Sequence, residues 1–436
     1  MTAVVAGISI IGYLLALFKF KKQWTTQQMI LLFIYLIGLT ATSLMDVVLP
    51  IYFIFSFLPF IPGLRKISRT TFLLAVYFGI YLLLGLTFQD KVASIVTFVA
   101  KSWQFLIFFI VYDCQREIQD DSSKGQIVAA VIVESLLGLY LLGNSTRMDA
   151  NGMVRLVSGA QPISGNIAVV MLPLSVYLYF KHRDDAKYSF RIILLSLIFL
   201  VWIILSGTRG YTLMYVMTMF FVFYDYLINH RGRNETMARN RAFVGIILFV
   251  VAVSVILLAP SIVERLNSIL RIGSSVGIRT YENAAEIQFF KKAPWHVQIF
   301  GIGIGGTAGK YEAFRDAIGV QASLGMWNLR HYLNDAGNLY HNLFADILLN
   351  FGVIGIVVIV IVNVAIWRRV TFCCSSNIML RRTFHLYQLS FLWMNYYRWS
   401  GDCGIAEMIM FALVLRYVSG GYLENEPGIE RDRSYL

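Results

Sequence analysis

Charge is scarce in this chain: 14% of its 436 residues are Asp, Glu, Lys or Arg, whereas 58% are hydrophobic. That balance excludes an ordinary soluble domain, because apolar segments of about 14 to 25 residues recur along the whole length instead of gathering in one core-sized block. Linkers rich in Pro, Gly or Ser are missing too, which removes the usual mark of a boundary between soluble domains. The four cysteines, Cys114, Cys373, Cys374 and Cys403, lack metal-like spacing and specify neither a disulfide framework nor a zinc site. No internal repeat of the kind a rocking transporter carries is visible. The lysines of the opening run, Lys19, Lys21 and Lys22, follow its apolar residues, an order that predicts a first helix with an outer N-terminus and no cleaved signal peptide. Glycosylation sequons at Asn144 and Asn234 read as chance, the second lying in a basic loop.

What remains is the pattern of an all-α polytopic membrane protein, a single integral domain over residues 1–436. A net charge of +12 would suggest nucleic acid in a soluble chain, but in a membrane chain the position of the charges matters more than their sum. Basic residues gather at Lys19 to Lys22, Arg65 to Arg69, Lys181 to Arg191, Arg231 to Arg241 and Arg368 to Arg382, alternate loops that the positive-inside rule assigns to the cytoplasm. The walk predicts about 13 spans, within a range of about 12 to 14. They lie near Ala3 to Phe20, Met29 to Met45, Val48 to Pro62, Thr71 to Phe88, Val92 to Tyr112, Ile127 to Leu142 and Ile163 to Phe180. After these come Ile192 to Leu205, Tyr211 to Ile228, Ala242 to Ala259, Leu343 to Trp367, Thr383 to Trp399 and Gly404 to Val418. The segment Asp113 to Lys124 breaks the charge pattern, being mildly acidic.

One long polar segment, residues 260–340, falls outside the bilayer in this walk. Within it RTYENAAEIQFFKKAPW has a polar stripe at Arg279, Glu282, Asn283 and Glu286 and stops at Pro294, the pattern of an external amphipathic helix. Ile299 to Thr307, IFGIGIGGT, contains Gly301, Gly303 and Gly306 in the spacing GxGxxG. A dinucleotide site is rejected there, since no βαβ frame surrounds it. A close-packed turn, at which a bulky ligand could approach backbone, is the expected meaning.

Chemistry could sit at a few positions. Arg209 lies in LSGTRGYTLM between Gly207 and Gly210, at the outer surface or just beneath it. It fits either a snorkelling interfacial arginine or, with glycines exposing backbone N–H groups beside it, an anion site. Arg279 suits an ordinary surface pair with Glu282 or Asn283. Asn338, His341 and Asn342 share one face of the turn that precedes the late apolar run, in the spacing i, i+3, i+4. Asn342 suits a helix cap. His341 is either a structural imidazole at the boundary or a base that takes a proton from a substrate hydroxyl. Asp346, one turn further in, stands to the side of that ring. Lys101 and Glu134 fall near mid-span in consecutive helices and suit an ion pair inside the bundle. No carboxylate pair on the outer side suits a divalent metal, so a phosphorylated substrate handled there would need arginines.

Taken in order, LSGTRG, then RTYENAAEIQFF with IFGIGIGGT, then HNLFADILLNFGVIG resemble the membrane-bound O-antigen polymerase and O-antigen ligase superfamily, over Leu205 to Gly355. The resemblance implies a GT-C-like fold with a large periplasmic loop in the bacterial inner membrane. It implies a metal-independent, inverting glycosyltransferase without a cofactor, acting at the periplasmic face on undecaprenyl-diphosphate-linked glycans as donor and acceptor. A chain-length regulator is an implied partner and nucleic acid is not. By position, Arg209 and Arg279 would grip the diphosphate and His341 would be the catalytic base. Asn342, Asn338 and Tyr281 would line the acceptor side. Tyr281 and Glu282 depart from the family pattern, in which tryptophan or leucine is frequent there. Polymerisation of repeat units is the expected reaction, with ligation to the lipid A core as the alternative. A lipid-linked glycan transporter is a reading of a different class.

Overall fold

The structure is a computed structural model, and it describes residues 67–89, 91, 94–95, 98, 103–114, 146–148, 154–156, 163–205, 209–229, 287–306, 343–397 and 404–424. These residues are mostly helical. In chain order the elements are α1 Arg69–Phe88, α2 Trp103–Cys114, β1 Thr146–Met148, β2 Val154–Leu156, α3 Ile163–Lys181, α4 Ala186–Leu205 and α5 Arg209–Asn229. They continue with α6 Trp295–Phe300, α7 Leu343–Cys373, α8 Ile378–Tyr397 and α9 Gly404–Glu424. The strands form one antiparallel hairpin, Arg147 opposite Arg155, which an all-α reading omits. The expected spans at residues 3–20, 29–45, 48–62, 127–142 and 242–259, with Lys101 and Glu134, lie outside the described residues.

Every expected span that can be compared is helical where it is described, but several helices outrun the apolar stretch that announced them. Helix α4 starts at Ala186 instead of Ile192, α7 runs to Cys373 instead of Trp367, and α9 to Glu424 instead of Val418. The reason is that hydropathy marks depth, whereas a helix ends where its backbone finds other partners. At the starts of α1, α4 and α8 those partners are caps. Ser68 Oγ accepts from Thr71 N at 3.3 Å, Asp185 Oδ1 from Tyr188 N at 3.1 Å, and Asn377 Oδ1 from Leu380 N at 3.0 Å. Cys114 and Cys373 are the last residues of α2 and α7, and with Cys374 they are buried free thiols.

Helix α9 is the centre of the bundle. Met408 to Leu415 are all buried, and α9 packs against α2, α3 and α7, while α5 packs on α8 and α1 on α2. Phe411 gathers Phe108 at 5.7 Å, Phe384 at 5.6 Å and Tyr387 at 4.8 Å between ring centroids. Among the described residues, two helices present apolar outer faces. Two helices, Arg69–Phe88 and Asp346–Cys373, are long and apolar enough to cross a membrane. Along α1 the exposed face reads Phe72, Val76, Ile80, Leu83 and Phe88, and along α7 it reads Val353, Val357, Val360, Ile361 and Val364. Meanwhile Gln104, Asp225, Asp346, Asn350 and Glu407 are buried. Each large apolar side chain left facing water forgoes about 1.5–3 kcal/mol, so a full-length apolar stripe on the outside points to an apolar solvent. The run VVIVIVNV in α7 is β-branched, a strand composition in water. It is helical here, the form in which an apolar run satisfies its own backbone groups.

At one end of the bundle, here termed the basic end, the start of α1 meets the ends of α2, α7 and α9. Asp113 Oδ2 accepts from Ser68 N at 2.9 Å and from Thr71 Oγ1, and Asp113 Oδ1 lies 3.8 Å from Arg369 Nη2. The mildly acidic segment that broke the charge pattern thus begins with a carboxylate facing an arginine from another basic cluster. Nearby, Asp225 of α5 accepts from Tyr179 Oη at 2.9 Å and lies 3.8 Å from Arg183. Tyr177 and Tyr417 stack at 5.8 Å, joining α3 to α9.

Candidate functional site

The opposite end holds the glycine segment and the first turns of α7, and there the chain interlocks backbone against backbone. Helix α7 breaks at Gly352, whose φ of 67° and ψ of −162° suit glycine and few other residues. The break frees carbonyls that the helix would otherwise have used. Ile302 N donates to Leu349 O at 2.8 Å and Gly303 N to Asn350 O at 3.0 Å, so the glycine segment takes them. From the other side Gln89 Nε2 donates to Ile302 O at 2.9 Å and Ser94 Oγ to Ile304 O at 2.9 Å. Segment 301–306 is therefore clamped between the end of α1 and the break in α7.

Side chains are excluded from this clamp by distance. A Cβ on Gly352 would lie 2.2 Å from Ile299 O, one on Gly301 2.3 Å from Asn350 O, and one on Gly85 2.2 Å from Ile304 O. Gly305, with φ of 79°, would bring a Cβ to 2.5 Å from Ser94 N. The close-packed turn expected at IFGIGIGGT is present, with one correction. The backbone of the protein's own helices lies against it. The third left-handed residue is Gly305, so the GxGxxG frame that singled out Gly306 misses the conformationally demanding position.

The clamp stiffens the first turns of α7, which begins at Leu343. Leu343, Asp346, Ile347 and Asn350 are buried, and Asn350 Nδ2 donates to Asp346 O at 2.9 Å. Phe351 packs against Tyr81 at 4.8 Å, Phe78 at 5.7 Å and Tyr77 at 5.9 Å. From Leu343 to Gly352 is about 14 Å of helix, held at its far end by two backbone bonds and this aromatic cluster. Asn350 Oδ1 is buried without a hydrogen-bond partner. Asp346 is buried in the first turn of α7, and the imidazole beside which it was expected, His341, lies outside the described residues.

Of the residues expected to act, Arg209 is the first residue of α5. Arg279, Tyr281, Asn338, His341 and Asn342 lie outside the described residues. The external amphipathic helix is described only over 287–292, which is helical and ends just before Pro294, where the composition placed its stop. Among the described residues no group of His, Cys, Asp and Glu is arranged to hold a metal ion. Asn350, Gly352, Gly85, Gln89 and Ser94 escaped the sequence reading. The signal for the first two was present in NFG, an asparagine and a glycine inside an otherwise unbroken apolar run. Nothing local marked Gly85, Gln89 or Ser94. No protein-family model matches the chain and no curated protein matches it.

Proposed function

We propose that the chain is an integral membrane glycosyltransferase that polymerises undecaprenyl-diphosphate-linked oligosaccharide repeat units into O-antigen or a related surface polysaccharide at the periplasmic face. The observation that carries the reading is the ordered motif set from Leu205 to Gly355, whose last member, HNLFADILLNFGVIG, opens the braced first turns of α7. Membrane residence is supported by the apolar outer stripes of α1 and α7 and the buried polar interior. Orientation is supported by contacts at the basic end, where helix ends that the charge walk assigned to one side meet.

In this mechanism Arg209 and Arg279 stabilise the charge that develops on the departing lipid diphosphate. His341 takes the proton of the attacking sugar hydroxyl, a role worth about 10²- to 10⁴-fold. Asn342, Asn338 and Tyr281 orient the acceptor. Attack on the anomeric carbon inverts its configuration, and no metal is required where two guanidiniums neutralise the leaving group. A GT-C-like arrangement and the bacterial inner membrane belong to the same proposal, as does a chain-length regulator as partner.

The discontinuity of α7 favours a second reading, a lipid-linked glycan transporter, because broken helices line substrate paths in transporters. Against it, the carbonyls freed at the break are already occupied by Ile302 and Gly303. Purified protein incubated in detergent with lipid-linked repeat units decides between them. Chain growth with release of lipid diphosphate is expected, and neither product would appear with a transporter. His341→Ala should lower elongation about 10²-fold or more with folding intact; retained activity removes His341 from the chemistry. Deleting the gene separates polymerase from ligase, since a polymerase mutant retains one repeat on the core and a ligase mutant retains none.

A further inference from the structure

We propose that the basic end binds the phosphate of an anionic membrane phospholipid through Arg369 and Arg416. The ring of Tyr112 has a guanidinium near it from each of two helices, Arg369 of α7 at 5.1 Å and Arg416 of α9 at 5.7 Å from its centroid. Arg369 also lies 4.5 Å from the Phe109 ring. Aromatic faces attract cations but carry no net charge, so they orient the guanidiniums without neutralising them.

The only carboxylate against this pair among the described residues is Asp113, 3.8 Å from Arg369 and already accepting from Ser68 N and Thr71 Oγ1. Arg416 forms no ion pair with a described carboxylate. Arg369 Nε is buried and has no hydrogen-bond partner. Two guanidiniums against one carboxylate leave an excess positive charge and unused N–H donors at a helix-end boundary. A half-buried guanidinium with unused donors favours an anion, and a phosphate oxygen is the group whose charge and geometry match a guanidinium fork.

The surroundings select a lipid as the source of that phosphate. Phe72, adjacent to Thr71, is 54% exposed, and Phe372, three residues beyond Arg369, is 67% exposed. An acyl chain covers such rings, whereas a soluble phosphate leaves them bare. Arg368 is exposed beside the pair and adds attraction for an anionic headgroup. The site lies at the end of the bundle remote from the glycine clamp and does not depend on glycan transfer.

Thermal unfolding of the full chain in neutral detergent tests this, with phosphatidylglycerol, phosphatidylcholine and inorganic phosphate as separate probes. Phosphatidylglycerol should raise the midpoint in a saturable manner and phosphatidylcholine should not. Arg416→Gln, which breaks no ion pair, should weaken the phosphatidylglycerol response about five-fold, and Arg416→Lys should keep most of it. Arg369→Gln also unpairs Asp113, so Arg416 is the deciding position. Equal shifts from phosphatidylcholine, or an unchanged response in Arg416→Gln, would overturn the site. Inorganic phosphate acting as well as phosphatidylglycerol at equal concentration would overturn the lipid as its source.

Discussion

The two ends of the bundle are held by different physics. At the glycine end, contact is backbone to backbone: carbonyls freed by the break at Gly352 are met by N–H groups of 302 and 303, and the fit depends on missing side chains. At the basic end, contact is side chain to side chain, with Asp113, Arg369, Thr71 and Tyr112 reaching across from three helix ends. The first kind is rigid and intolerant, because no rotamer can relieve a Cβ set against a carbonyl. The second can adjust, since long side chains change rotamer and accept substitutes. Precision is found at the end where the proposed chemistry sits, and adjustability at the end proposed to meet lipid.

Substitution can break this contrast. Gly352→Val should have the largest effect, on the order of 4 kcal/mol or more, from a backbone conformation foreign to valine together with a clash against Ile299 O. Loss of the monodisperse species in detergent would report it. Asp113→Ala should follow at about 3 kcal/mol, by leaving Arg369 unpaired and two donors unsatisfied. A double-mutant cycle with Arg369→Gln should recover part of that loss, and strict additivity would refute the pairing. Gly85→Ala should destabilise by about 2 kcal/mol through overpacking on Ile304 O. Its control is Gly79→Ala on the same helix, where a Cβ meets nothing within 4 Å; a stabilisation of about 0.5 kcal/mol is expected. If the two alanines behave alike in thermal unfolding, the clamp is not formed in solution. Ser94→Ala sharpens the comparison most finely, with an expected cost of about 1 kcal/mol for the lost bond to Ile304 O.

Much of the helical layout was legible beforehand. The span expected at Gly404 begins at the residue named, and Thr71 to Phe88 differs from α1 by two residues at one end. The overlap arises because a long apolar run satisfies its own backbone groups most readily as a helix. The candidate site was legible only as chemistry. Arg209 is placed at the start of α5, while His341 and Arg279 stand on their residue types and motif order. The glycine motif was correctly read as a turn, but its regular spacing drew attention to Gly306 when Gly305 carries the demanding conformation. Spacing records which residues recur, not which φ each adopts.

Apolar length and the clustering of basic residues are properties of contiguous residues, so composition within a window of about twenty residues suffices to read them. The pairing of Gly85 with Ile304, of Asp113 with Arg369, and of Ile302 with the carbonyl of Leu349 joins residues far apart in the chain. Such partners are chosen by the packing of whole helices against α9 and by carbonyls left over at one break, and no local pattern records that choice.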